Sequence, residues 1–270
     1  MIDSADRNSL YPSAWDFSIN KQQPYVSGFF SRAGATEVVM EWCEDNINTT
    51  IGVLPTDTNA GNTIGLRDLS GVQTVVTLNP GKYTVAQALD ALCAQLNLSD
   101  LSGGRFFSVS TTKVPGQVVI DISGTGISAA GANAFPLWRR LDIGFLTPNT
   151  LIVICPDLRP YRYVDIVSDN LTSVQDARDA STQALDRNVL VRWYFSFDEQ
   201  NLQDAYGFPI LMGYTRFCLR RLYNPPKQIK WEQNLPISNL QFNVYDPDGN
   251  LLPASDINTN WLMTIQLSEG

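Results

Sequence analysis

The sequence predicts an all-β chain: an antiparallel β-sandwich with one amphipathic helix over about residues 84–97 and long loops. Three observations lead there. Short segments alternate apolar and polar residues, turn-forming Gly, Pro, Asn and Asp separate them, and one stretch alone spaces its apolar residues at helical intervals. The 270 residues are 44% hydrophobic and 17% charged, a globular composition. A chain of this length buries about 75% of its unfolded surface and needs no disulfide or metal staple.

The elements follow in chain order. Residues 1–14 are polar and punctuated by Pro12, which predicts an extended N-terminal arm, leaving 15–270 as a single sandwich domain. Strands are expected over Trp15–Ile19, Thr36–Cys43 and Val72–Leu78. Asn79-Pro80-Gly81 then stops the chain, and Thr84-Val-Ala-Gln87 has the form of a capping box. Val85, Ala88, Leu89, Leu92 and Leu96 follow on one helical stripe. A hairpin comes next: Phe107 and Val109 face inward, Pro115-Gly116 turns, and Val118, Ile120 and Ile122 return.

Further strands are expected over Leu151–Cys155, Tyr161–Val167, Val189–Phe197, Arg216–Leu222 and Leu235–Leu240. The last hairpin puts Leu240, Phe242 and Val244 on one face, turns at Asp246-Pro247-Asp248-Gly249, and ends in Trp261, Met263, Ile265 and Leu267. Gly52–Ser70 and Ser168–Asn188 are read as long loops. The strands outnumber the eight of a bare jelly roll, so the sandwich carries extra strands or a small insertion.

Composition removes several functions. There is no histidine, which excludes Ser-His-Asp and Cys-His nucleophile systems, HExxH zincins and His-ligated metal centres. A formal charge of −8, from 19 basic and 27 acidic residues, disfavours a sequence-independent grip on nucleic acid. Cys43, Cys93, Cys155 and Cys218 form no CxxC pair, so reduced, mostly buried thiols are expected rather than zinc ligands. The opening residues lack the form of a signal peptide, and no aliphatic run is long enough to span a membrane, which suits an intracellular origin.

Four motifs bear on chemistry. Gly81-Lys82 before a helix resembles a phosphate loop, but Val76 stands where the first glycine is required and Tyr83 separates Lys82 from Thr84. Asp246–Asn250 resembles the start of a calcium loop, yet its glycine is fourth and Ile257 stands twelfth. Arg216, Arg220, Arg221, Lys227 and Lys230 alternate with Tyr223 and Trp231, a pattern that fits single-stranded nucleic acid less well than a strand edge kept soluble by charge or contact with an acidic neighbouring subunit. Asp165, Asp169, Asp176, Asp179 and Asp186 supply carboxylates for glycoside chemistry only if two stand at working distance. No catalytic, cofactor-binding or metal residue is assigned.

Several segments in order resemble one group of proteins. These are "IDSADRNSLYP…WDFSI" at Ile2–Ile19, "VTLNPGKYTVAQALDALCAQLN" with Gly81, Tyr83 and Thr84, "LDIGF" at Leu141–Phe145, and "PYRYVDIVSDNLT" at Pro160–Thr172. The end, "NPPKQIKWEQNLPISNLQFNVYDPDGNLLP…NWLMTIQLSEG", is the most specific. Together they resemble the minor capsid and penton proteins of double-stranded DNA viruses with double jelly-roll major capsids, namely virophages, polinton-like viruses and large nucleocytoplasmic viruses. The resemblance implies a single jelly-roll penton, non-enzymatic and without cofactor. Such a subunit closes the fivefold vertex as a homopentamer in contact with major and minor capsid proteins, within a virion assembled inside the host cell. Two alternatives remain: a vertex-adjacent cement protein, or a jelly-roll carbohydrate-binding module for receptor attachment.

Overall fold

The computed structural model describes residues 1–7, 10, 13–20, 32–41, 45–54, 56–99, 104–128, 135–168, 171, 189–195, 202–210, 218–223, 229–230, 239–252 and 260–268. The chain opens with β1 (Ile2–Asp3), β2 (Asp16–Asn20) and β3 (Arg32–Glu41). Then come β4 (Thr63–Asp68), β5 (Gln73–Thr77), α1 (Val85–Ser99), β6 (Phe106–Ser110), β7 (Val118–Ser123) and β8 (Ile127–Ser128). The short α2 (Pro136–Arg140) precedes β9 (Ile143–Thr147) and β10 (Thr150–Val153). The last strands are β11 (Tyr163–Val167), β12 (Val189–Tyr194), β13 (Cys218–Leu222), β14 (Ile229–Lys230), β15 (Asn239–Tyr245) and β16 (Trp261–Ser268). Two compact units share them: Met1–Glu44, Tyr161–Phe195 and Thr215–Gly270 form the first, and Asp45–Pro160 with Ser196–Tyr214 form the second.

The first unit is a jelly roll. One sheet runs β1-β16-β3-β13, with β14 also on β3; the other runs β12-β11-β15-β2. Every pairing is antiparallel. Leaving the short β14 aside and counting the remaining strands in chain order, the sheets read first-eighth-third-sixth and fifth-fourth-seventh-second, the order of two interleaved Greek keys.

The core lies between these sheets. Phe17 and Phe242 from one sheet meet Trp261 from the other at ring-centroid distances of 5.5 and 5.4 Å. Trp15, Val38, Met40, Ile166, Trp193, Val244 and Met263 are buried with them. The alternation expected over Leu240–Val244 and at Trp261 and Met263 therefore points inward.

The described residues of 1–14 do not form an arm outside this domain. Ile2 and Asp3 pair with Met263 and Leu262 as the first strand of the jelly roll. Ile2, Ser4 and Ala14 are buried, the Ser4 hydroxyl accepts the Trp261 amide at 2.7 Å, and the Ala14 carbonyl accepts the Trp261 indole N–H at 2.8 Å. Polarity suggested an arm because most residues of the stretch are polar; two buried hydrogen-bond partners of a tryptophan suffice to fix it.

The second unit carries a four-stranded sheet, β6-β7-β10-β9, a three-stranded sheet, β5-β4-β8, and both helices. Its core gathers Val85, Leu89, Leu92 and Leu96 of α1 with Ile64, Val76, Phe107, Ile120, Leu151 and Trp138. The loop expected over Gly52–Ser70 contains a strand, β4. Gly65 disguised it: a Cβ at that position would stand 2.3 Å from the Phe135 ring, so the strand needs a glycine where the ring crosses it. Of the other expected loop, Ser168–Asn188, residues 169–170 and 172–188 lie outside the described residues.

Candidate functional site

The Gly81-Lys82 segment is built from spent donors. Gly81 N–H goes to the Ile47 carbonyl at 2.9 Å, and Tyr83 N–H goes to the side-chain oxygen of buried Asn46 at 2.8 Å. Thr84 N–H donates to Gln87 Oε1 at 3.1 Å while Gln87 N–H donates to Thr84 Oγ1 at 3.2 Å, the reciprocal bonds of a capping box. A phosphate cradle requires such amides to be open toward a ligand. These are closed, and the segment is a strand-to-helix joint.

Asp246–Asn250 is likewise structural. Gly249 has φ 93° and donates its N–H to the Asp246 carbonyl at 3.1 Å. The Asp246 carboxylate accepts the Asn250 amide N–H at 2.7 Å and its side-chain NH2 at 3.0 Å, so both oxygens serve the turn. Among the described residues, no group of three or more His, Cys, Asp or Glu is arranged to hold a metal ion.

The basic-aromatic stretch divides. Arg220 pairs with Glu37 across the β13–β3 ladder, Arg221 donates to the Tyr194 carbonyl at 2.7 Å, and the Tyr223 hydroxyl donates to the Arg192 carbonyl at 3.1 Å. Burial pushes the Tyr223 phenol up to about 12. These groups hold an edge strand in place; Arg216, Lys227 and Trp231 lie outside the described residues, as does the Lys230 side chain. Of the five aspartates, Asp165 is buried and held by the Arg192 guanidinium at 2.8 and 3.1 Å. Asp169, Asp176, Asp179 and Asp186 lie outside the described residues. The Asp165–Arg192 pair is the geometry of a cross-strand tie rather than of an acid-base couple.

What the first unit presents outward is surface. Tyr194 and Leu222 are exposed on β12 and β13, the last strands of their respective sheets. In the second unit Phe106, Phe145 and Leu146 are exposed on β6 and β9, the two edges of the four-stranded sheet, and Leu69 and Val72 at the β4–β5 turn. Large apolar side chains on sheet edges mark sites for contact with other chains. Alternation flags inward residues well but does not say which strands end a sheet, so sequence reasoning missed these positions. Cys93 is buried and its thiol is pushed up to about 12, chiefly by burial, whereas Cys155 is exposed.

No family model matches the sequence, and no curated protein matches it either. Solved structures do. The crystal structure of the mavirus penton protein matches at a TM-score of 0.50 and 11% identity, covering 98% of this chain and 92% of that one. The two chains share one fold. A cryo-EM structure of the Sputnik virophage contains a chain that matches at a TM-score of 0.44 and 14% identity, over 93% and 92% of the two lengths. At 11% identity the likeness to the penton protein is one of topology, and it extends over nearly the whole of both chains, the second unit included.

Proposed function

We propose that this chain is a structural capsid subunit, a penton that closes the fivefold vertex of an icosahedral virion as a homopentamer and contacts the major capsid proteins around it. The observation that carries this reading is the eight-stranded jelly roll in an architecture that follows a penton protein over 98% of the chain. In this reading the jelly roll is the capsid domain, and residues 45–160 with 196–214 are an insertion carried on it. A cyclic ring needs two different flanks on each subunit, one meeting the other in its neighbour. The edge strands β12 and β13, joined by the Arg221–Tyr194 hydrogen bond, make one such flank, on which exposed Tyr194 and Leu222 supply apolar groups. The virion is then the protein's place of work.

Class-averaged electron micrographs of the purified protein test the proposal directly. Five-membered rings are the expected result. A species that stays monomeric at all concentrations in sedimentation, with saturable hits on a glycan array, would overturn it in favour of a carbohydrate-binding module.

A further inference from the structure

The first turn of α1 contains no acidic residue, although a helix N-terminus carries partial positive charge and unpaired N–H groups. The Thr84 hydroxyl accepts the Gln87 amide. The Ala86 amide is taken from a distance: its N–H donates to Oδ2 of Asp204 at 2.7 Å, 118 residues further along the chain.

Asp204 sits in a small hairpin that organises itself. Gln203 bridges Pro209, Ile210 N–H donates to the Leu202 carbonyl at 3.0 Å, and Asp204 N–H donates to the Phe208 carbonyl at 2.9 Å. Gly207, at φ 84°, allows the tight turn between them. The second carboxylate oxygen of Asp204 accepts the Tyr206 and Phe208 amides at 2.9 and 3.0 Å. One oxygen thus shapes the hairpin while the other caps the helix.

A second contact lies one turn along. The Tyr206 hydroxyl donates to Oδ1 of Asp90 at 2.5 Å, and burial followed by the Asp90 hydrogen bond raises its phenol pKa. Ala86, Asp90 and Cys93 share a helix face by their spacing of four and seven residues. Ala86 and Cys93 are buried although the apolar stripe runs along Val85, Leu89, Leu92 and Leu96, and Tyr206 and Phe208 pack against the same core.

We propose that residues 202–210 are a clasp that completes α1 from outside its own sequence, so that the first turns of the helix are fully held only while this hairpin is seated on them. The seat consists of the Ala86 N–H, the Asp90 carboxylate and the helix face running to Cys93. It takes a preformed hairpin bearing an aspartate, a tyrosine and a phenylalanine, here the chain's own. The proposal stands independently of any role in a shell.

The test uses the full chain with Asp204→Asn and Tyr206→Phe together, followed by hydrogen exchange and by site-resolved thiol labelling. Exchange in residues 85–92 and 202–210 is expected to quicken about tenfold, and Cys93 to label faster relative to the exposed Cys155, with β15 and β16 unchanged. Unchanged rates in α1, or equal quickening in β15 and β16, would overturn the clasp. Should the double variant fail to fold, Tyr206→Phe alone is expected to quicken exchange in 202–210 and around Asp90. Unchanged rates there would overturn it equally.

Discussion

Trp261 meets Phe17 and Phe242 ring to ring and gives its indole N–H to the Ala14 carbonyl, so alanine at this position removes packing and a buried hydrogen bond. Trp261→Ala is expected to cost about 3–5 kcal/mol in urea unfolding. Thr84→Ala removes one arm of the capping box and is expected to cost about 1 kcal/mol, measured in the same way. Asp57 makes a pH prediction. The Arg139 guanidinium, and after it the Leu54 amide, hold its carboxyl below the usual carboxylate range. A depressed carboxyl contributes stability that is complete above its unfolded value, about 4, and lost as the pH falls through the lower folded value. Unfolding midpoints of the native chain should therefore fall more steeply below about pH 4 than those of Asp57→Asn.

At the scale of elements, the first strand is the sharpest revision of the sequence reading. Deleting Met1–Ala14 removes β1 and two hydrogen-bond partners of Trp261, so the melting temperature is expected to drop, not merely the incorporation into larger assemblies. An unchanged melting curve would show that β1 contributes nothing to the sheet. Gly65→Ala is expected to destabilise by about 1–3 kcal/mol, because the Phe135 ring occupies the space a methyl would need. Much of this architecture was legible: the capping box, the stripe on α1, the inward faces of β15 and β16, and the Asp246–Asn250 turn all rest on neighbours a few residues apart. What escaped rests on distant partners. Two residues make β1 a strand only because Met263 and Leu262 lie beside them; a glycine is at home in β4 only because Phe135 crosses it; Ala86 is capped only because Asp204 arrives. The same logic governs the candidate site. The fold class that points to assembly could be inferred from alternation and motif order, whereas the edge positions of Tyr194 and Leu222 depend on a strand order that no local pattern encodes.

For the whole molecule, charge and connectivity set the terms. Each copy carries −8, so in the proposed ring copies would repel one another, and exposed apolar edges would have to outweigh that repulsion. Raising ionic strength from about 0.05 to 0.5 M is expected to increase the ring fraction in sedimentation, since screening lowers the repulsion. Dissolution of rings by salt would instead mark interfaces made of ion pairs. Connectivity has its own effect. The strand at the far end of the chain, β16, lies between β1 and β3 and pairs with both. A ribosome must therefore deliver residue 268 before two of the first strands it made can be joined into a sheet. A message broken short of that strand yields a product with a gap at the centre of one sheet, which leaves unpaired backbone and exposed rings for proteases to find. Only chains that reach β16 would then have that sheet closed.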